Sequence, residues 1–318
     1  MPRFKNYIPH GVIPALILPF KDDLSIDEEA YRRHLRFVAK TEGISAILVT
    51  GESQEVSALT FDEQRRVIAI TMEEVGRDLP VVTGVRANSG REAARLGRMG
   101  EEEGASCLLI FPPAAFARGS QMRPEMALAH FKSVAEVTGL PMIAFQYEMA
   151  TGQGYPLDTL VRLSEEVPTF QAIKDRCNHP VLHERHIRVL QNLPRPVNVL
   201  TTHSAWLMAS LVLGCKGLLS GSGSVMTDLH VALWRAVQKN DLIQARHVND
   251  RIYPLASVFY SEPLLDMHNR MKEALMILGR IPSAACRLPW LRVSSGEVDR
   301  IRTALQKAGV KPEGALAE

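Results

Sequence analysis

The chain has 318 residues, 46% of them hydrophobic and 23% charged, the make-up of an ordinary globular protein with enough apolar residues for a full core. The 37 basic and 35 acidic side chains leave a formal net charge of +2, and no basic run is long, which excludes an electrostatic footprint for nucleic acid. Cys107, Cys177, Cys215 and Cys286 stand far apart without Cys-x-x-Cys or Cys/His ligand spacing; they argue against a disulfide framework or a zinc site and suit a reducing cytosol. A polar start, and no apolar run of about 18 residues, give the expectation of a soluble, cytoplasmic protein with neither signal peptide nor membrane span.

Short apolar runs rich in β-formers alternate with longer amphipathic stretches. A strand at 12–18 leads to a helix over 26–39, with Ser25 as N-cap and Glu28 three residues on. A strand at 44–50 precedes a helix over 61–75, where Thr60 and Glu63 repeat the capping-box spacing. The pattern continues with 80–84 before 89–103, 107–111 before 123–138, and 142–147 before 157–166. It ends with 170–174 before 179–193, 197–202 before 204–213, and 217–220 before 226–239. Near-continuous hydrophobic runs of this length fit parallel strands covered on both faces. Eight strand–helix units without a linker predict an α/β fold, a (β/α)8 TIM barrel; a doubly wound open sheet competes, and the absence of an insertion favours closure. Stretches 241–258, 265–279 and 295–308 read as three more helices, a C-terminal helical appendage. The expected organisation is a barrel core over 1–225, with the last barrel helix and the appendage over 226–318 packed as one unit with it.

In a barrel enzyme the active site lies at the C-terminal ends of the strands. That restricts the search to 51–55, 111–116, 145–151, 174–175, 202–203 and 220–224. Lys174 ends the run Phe170-Gln-Ala-Ile-Lys, so its amine points into the mouth of an apolar barrel. Desolvation there favours a neutral, nucleophilic amine able to form a Schiff base with a ketone. A rim lysine paired with Glu52, Glu55 or Asp175 is the competing reading.

At this point the chain resembles the dihydrodipicolinate synthase/N-acetylneuraminate lyase family of Schiff-base-forming, aldolase-like enzymes. Gly11-Val-Ile-Pro-Ala-Leu-Ile-Leu-Pro-Phe20 is similar to the family's opening strand. Gly43-Ile-Ser-Ala-Ile-Leu-Val-Thr-Gly51 with Glu55 and Leu59-Thr60 matches its second strand and following loop in spacing. Pro112-Pro113, Gly139-Leu140-Pro141, Thr151-Gly152, Ile173-Lys174, Gly214-Cys-Lys-Gly-Leu-Leu-Ser220 and Met271-Lys-Glu-Ala-Leu-Met-Ile-Leu-Gly279 follow in family order. The resemblance covers about Tyr7 to Val310 and places the family's Schiff-base lysine on Lys174. It implies a pyruvate or other 2-oxo acid substrate, no metal or organic cofactor, and a homotetramer.

The departures are as informative. Where the family has Gly-Thr-Thr-Gly-Glu, this chain has Gly51-Glu52-Ser53-Gln54-Glu55. Ser53 keeps a donor for a substrate carboxylate, whereas an ionised Glu52 repels one and points elsewhere or meets a hydroxyl or amine. The family's catalytic tyrosine aligns with Phe145, which cannot move protons. Tyr147, two residues on and on the same strand face, is the candidate replacement; a tyrosine capping the core is the other reading. The arginine that binds the second substrate's carboxylate in true dihydrodipicolinate synthases is Ala150 here, and 112–116 lack the relay tyrosine. Arg118 is a substitute for that contact or a solvated loop residue.

Thr202 and His203 end the seventh strand, where family members contact the variable part of the substrate. Ser220-Gly221-Ser222-Gly223-Ser224 reads as a tight turn lining the pocket, with phosphate binding as a lesser alternative. His268 and Arg270, on the appendage, read as structural or subunit-contact residues. His179, His183 and His186 read as a solvated helical stripe that forms no metal site. The resulting expectation is a Schiff-base lyase or aldolase, not a true dihydrodipicolinate synthase. Catalysis falls to Lys174 and Tyr147, and substrate binding to Ser53, Glu52, Phe145, Thr202, His203, Ser220 and Gly221. Two alternatives stand beside it: a binding or regulatory protein on the same scaffold, and a phosphate-binding barrel enzyme.

Overall fold

The computed structural model describes residues 4, 6–202 and 206–312. Eight strands alternate with eight helices in the predicted order. They are β1 (Gly11–Pro14) with α1 (Glu28–Ala39), β2 (Ile47–Val49) with α2 (Phe61–Glu74), and β3 (Val81–Val85) with α3 (Gly90–Glu102). Next come β4 (Cys107–Ile110) with α4 (Pro124–Ala135), β5 (Met142–Gln146) with α5 (Leu157–Glu166), and β6 (Phe170–Asp175) with α6 (Pro180–Leu190). The last are β7 (Asn198–Thr201) with α7 (Leu207–Val212), and β8 (Gly217–Ser220) with α8 (Thr227–Gln238). Three more helices follow, α9 (Leu242–Phe259), α10 (Met267–Ile277) and α11 (Ser295–Ala308).

All strand pairs are parallel, in the order β1-β8-β7-β6-β5-β4-β3-β2. The ring closes between β1 and β2 through isolated bridges, Val12 with Ile44 and Ala15 with Leu48. This is a TIM barrel. Gly84 marks a close approach in the wall: a Cβ there would lie 2.1 Å from the Thr50 carbonyl oxygen, so only glycine lets β3 pass the end of β2.

Alternation along the strands sorts side chains into two cores. Ile13, Ala15, Leu48, Leu109, Phe111, Ile143, Phe145, Ala172, Leu200 and Leu219 fill the barrel interior. The other parity, including Val49, Ile110, Ala144, Ile173 and Leu218, packs under the helices. On β6 this sends Ala172 inward, so Lys174 also faces in, while Asp175 turns out toward α6.

Local capping follows the sequence in one case and departs in another. Thr60 and Glu63 form the full capping box on α2, at 3.2 and 2.9 Å. The cap of α1 is Asp27, which accepts from the Ala30 amide at 2.9 Å. Ser25 instead donates to Asp23 at 2.6 Å, because the chain still turns there and starts its helix two residues later.

The appendage is tied to the barrel by a buried ion pair. Lys272 of α10 donates to Glu55 and, at 2.8 Å, to the Ala285 carbonyl; both side chains are buried. Glu55 also accepts from the Arg287 amide at 2.8 Å. Breaking such a pair leaves an uncompensated charge in the interior. Lys272→Met should therefore cost about 3–5 kcal/mol in urea unfolding. The double variant Lys272→Met/Glu55→Gln should recover most of the loss; equal loss in both would refute a charge-based account.

Candidate active site

The strand ends open into a cavity of about 300 Å³ at the barrel's C-terminal face. That volume is at the small end for ligand pockets and suits a small metabolite. Its wall includes Ala15, Leu48, Glu52, Ser53, Phe145, Lys174, Arg176, Thr202 and Gly221, together with Tyr260, Met267 and His268 from beyond the barrel.

Lys174 enters from β6 and is 8% exposed. Its Nζ lies 4.4 Å from the centroid of the Phe145 ring, which supplies a π-face and no acceptor. Among the described residues no carboxylate comes within ion-pair distance of it. Glu55 is taken by Lys272, and Asp175 faces the other side of the sheet. Burial brings the Lys174 ammonium down to about 8, against the pull of Glu52 and with help from Arg176.

Glu52 and Ser53 stand on a short 3₁₀ turn bracketed by Thr50 and Glu55, both left-handed at φ 50° and 54°. The turn is held by the Gln54 side chain, which accepts from the Thr50 amide at 2.6 Å, and by the Glu55–Lys272 pair. Ser53 is buried and lines the cavity. Glu52 accepts from the Tyr147 hydroxyl and, at 2.9 Å, from Arg86, with Arg176 at 4.0 Å. Burial would raise the Glu52 carboxyl, but Arg86, Tyr147 and Arg176 together hold it below its ordinary value. It is thus an ionised but compensated carboxylate at the cavity wall.

Tyr147 is set back behind it. Its ring packs on Phe145 with centroids 4.4 Å apart, and Glu52, not the tyrosine, meets the cavity. Burial and the adjacent Glu52 push the phenol far above its ordinary value, so it keeps its proton.

Thr202 reaches the cavity, its amide bonded to the Asp175 carbonyl at 3.2 Å. His203 lies outside the described residues. Gly221 lines the cavity, but Ser220 does not: its Oγ is 3.0 Å from Ser222 Oγ and 3.3 Å from the Tyr260 hydroxyl. Ser220 is therefore a buried support for Tyr260 rather than a wall residue. The rest of the turn is also spent internally, with Ser222 on His230 at 3.3 Å and Ser224 on His34 at 2.7 Å and the Ile17 amide at 3.0 Å. The serine hydroxyls of the turn are thus committed to contacts within the protein. Arg118 is exposed on its loop, away from the cavity wall.

Two histidine assignments are corrected. His268 is a cavity residue, its Nε2 standing 3.6 Å from where a Cβ on Gly221 would be. Burial lowers it to about 4, so it is a neutral imidazole. Only the fold reveals this, because α10 returns across the barrel mouth. Arg270, two residues on, is structural, bonded to Glu297 at 2.8 Å and to the Ser261 carbonyl at 2.7 Å.

His183 and His186 are fully buried, not solvated: each Nδ1 meets Asp175 Oδ2, at 2.8 and 2.7 Å. Burial would raise the Asp175 carboxyl, but these two imidazoles hold it well below its ordinary value. His183 Nε2 in turn is 3.2 Å from Cys215 Sγ. Asp175, Cys177 and His186 place ligand atoms within 4.8 Å of one another, a grouping that their sequence spacing does not announce. His179 is exposed and caps α6, accepting from the Leu182 amide at 3.2 Å. Sequence reasoning also passed over Arg86, Arg176 and Tyr260, whose roles depend on neighbours distant in the chain.

The family model for the dihydrodipicolinate synthetase family matches residues 8–308. A 4-hydroxy-tetrahydrodipicolinate synthase of Methanopyrus kandleri is 29% identical over 307 residues, 96% of this chain and 98% of the relative. One from Neisseria meningitidis is 29% identical over 301 residues, 94% of this chain and 98% of the relative. The crystal structure of dihydrodipicolinate synthase from Aquifex aeolicus superposes with a TM-score of 0.83 at 26% identity, covering 96% of this chain and 100% of that one. A prophage protein from E. coli K12 of the dihydrodipicolinic acid synthase family, in complex with pyruvate, gives 0.86 at 21% identity, covering 95% and 99%. The fold and the family match over nearly the whole length agree: this chain belongs to the dihydrodipicolinate synthetase family.

Proposed function

We propose that the protein is a Schiff-base lyase or aldolase acting on pyruvate or a related 2-oxo acid. The observation that carries this is Lys174: a buried amine on the cavity wall, free of any ion pair among the described residues and brought down to about 8 by burial. At neutral pH a usable fraction of such an amine is unprotonated and nucleophilic. Its Nζ adds to the C2 carbonyl, the oxygen departs as water, and the iminium accepts the electron pair of the bond made or broken next to it. Ser53, buried at the cavity wall, is the proposed donor to the C1 carboxylate. Nothing in this sequence of steps calls for a metal or an organic cofactor.

Proton transfer is assigned to Glu52, with Tyr147 as the residue that positions it. The tyrosine donates to Glu52 and Arg86 neutralises it, so the carboxylate stays ionised and aimed at the cavity. This replaces the family tyrosine that Phe145 has lost. With Ala150 in place of the arginine and no hydroxyl in 112–116, we assign the protein a reaction other than condensation of pyruvate with aspartate semialdehyde. Its location is proposed to be the cytoplasm; no helix among the described residues is long and apolar enough to cross a membrane.

Three measurements test the reading. Borohydride reduction in the presence of pyruvate should leave a stable mass adduct on Lys174 that Lys174→Ala abolishes. No adduct with pyruvate or with longer 2-oxo acids would return the chain to a binding or regulatory role. Trapping should speed up with pH and level off above about 8, since the unprotonated amine is the nucleophile; a flat profile between pH 6 and 9 would contradict the assignment. Glu52→Gln should lower turnover on a productive substrate about 10²-fold or more while still allowing the adduct to form. Tyr147→Phe should give a smaller loss, with the acid limb of the rate profile displaced; unchanged turnover in both would remove the pair from the mechanism.

A further inference from the structure

Arg176 follows β6 two residues after Lys174, with its amide pinned to the Gln146 carbonyl at 2.9 Å. Its side chain is 22% exposed and lines the same cavity. Its nearest ionic partner among the described residues is Glu52 Oε2 at 4.0 Å, beyond hydrogen-bond range. Glu52 is already engaged by Tyr147 and by Arg86. Glu148 and Glu262 also line the cavity, yet neither pairs with Arg176 within 4.0 Å, and Glu262 accepts from the Leu264 amide at 3.1 Å. Among the described residues, no side-chain hydrogen bond of Arg176 is made within the protein. Two other deeply placed arginines differ: Arg270 and Arg287 are each bound to a carboxylate, at 2.8 and 2.6 Å.

A guanidinium carries five donors in a planar fork that matches a carboxylate in bidentate fashion. Here that fork is uncommitted and faces a small cavity. We infer that Arg176 receives a second carboxylate of the substrate, so that the site takes 2-oxo diacids in preference to monoacids. The inference rests on the Schiff-base reading for where the first carboxylate and the ketone sit. Two residues along a strand advance about 6.6 Å. Both side chains line one cavity of about 300 Å³, a space that suits a short carbon chain between the amine and the fork. The subsite lies just past the end of the sixth strand and does not reproduce the position vacated at Ala150, so the distal group would run along a different wall.

The test compares 2-oxoglutarate with 2-oxopentanoate, acids of equal length that differ in the distal carboxylate. In borohydride trapping, half-saturation by 2-oxoglutarate should come at a concentration about tenfold or more below that of 2-oxopentanoate, the worth of a charge-assisted pair. Arg176→Gln should raise it about tenfold more for the diacid than for the monoacid, with Arg176→Lys intermediate. Retained trapping of pyruvate by the variant shows that it is folded. Equal shifts for both acids, or no preference in the unmodified protein, would overturn the inference. Should no acid be trapped, calorimetry with glutarate, which has no ketone, still reads the subsite. Glutarate binding lost in Arg176→Gln supports it, and no binding overturns it. Inorganic phosphate competing more strongly than glutarate would refute the carboxylate assignment.

Discussion

A closed ring of parallel strands admits a charged side chain only at its mouth, and the site depends on that constraint. The interior is filled by Ile13, Leu48, Leu109, Phe145 and Leu219, and among the described residues no carboxylate comes within ion-pair distance of Lys174. Desolvation then acts on the ammonium with little opposition, and the amine is brought toward neutrality at ordinary pH. The same alternation that sends Lys174 inward sends Asp175 outward onto His183 and His186. Neighbours on one strand therefore have opposite electrostatic fates. One is an amine in the cavity with no ion pair among the described residues; the other is a carboxylate held by two imidazoles beneath the helical layer.

Glu52 shows how a charge that would harm substrate binding is made compatible with it. An isolated carboxylate beside the proposed 2-oxo acid would repel it. Arg86 and Tyr147 compensate this one, and its geometry is fixed by a turn with two left-handed residues, Thr50 and Glu55. Such backbone is retained where surrounding structure over-determines it, and here the Lys272–Glu55 pair does so from the appendage. Helix α10 consequently serves the site twice. Lys272 holds the turn from behind, while His268, one helical turn earlier, contributes a neutral imidazole to the cavity wall.

Much of the frame was legible in the chain alone. Buried strands read as continuous apolar runs, and the Thr60–Glu63 box marks the start of α2 to the residue. The end of the Phe170–Lys174 run located the amine, because a lysine closing an apolar strand has one direction in which to point. Ser25 misled by local spacing alone: the capping-box pattern is present, but the backbone does not become helical until Asp27 provides the cap. His183 and His186 misled similarly, since a helical stripe does not say whether its face meets solvent or a buried carboxylate.

Sequence by itself determined the alternation of strands and helices, the barrel, and the position of Lys174, since hydrophobic period is a local property of the chain. Only the tertiary structure decided the company that Lys174 keeps. Arg86, Tyr147 and Glu52 come from three strand ends, and His268 from a helix 94 residues beyond Lys174 that folds back over the mouth. Which charges cancel and which stay available depends on distances of 3 to 4 Å between residues far apart in the chain. A linear pattern does not encode such distances, so the pairing of Glu52 and the freedom of the Arg176 fork emerge only from the closed barrel.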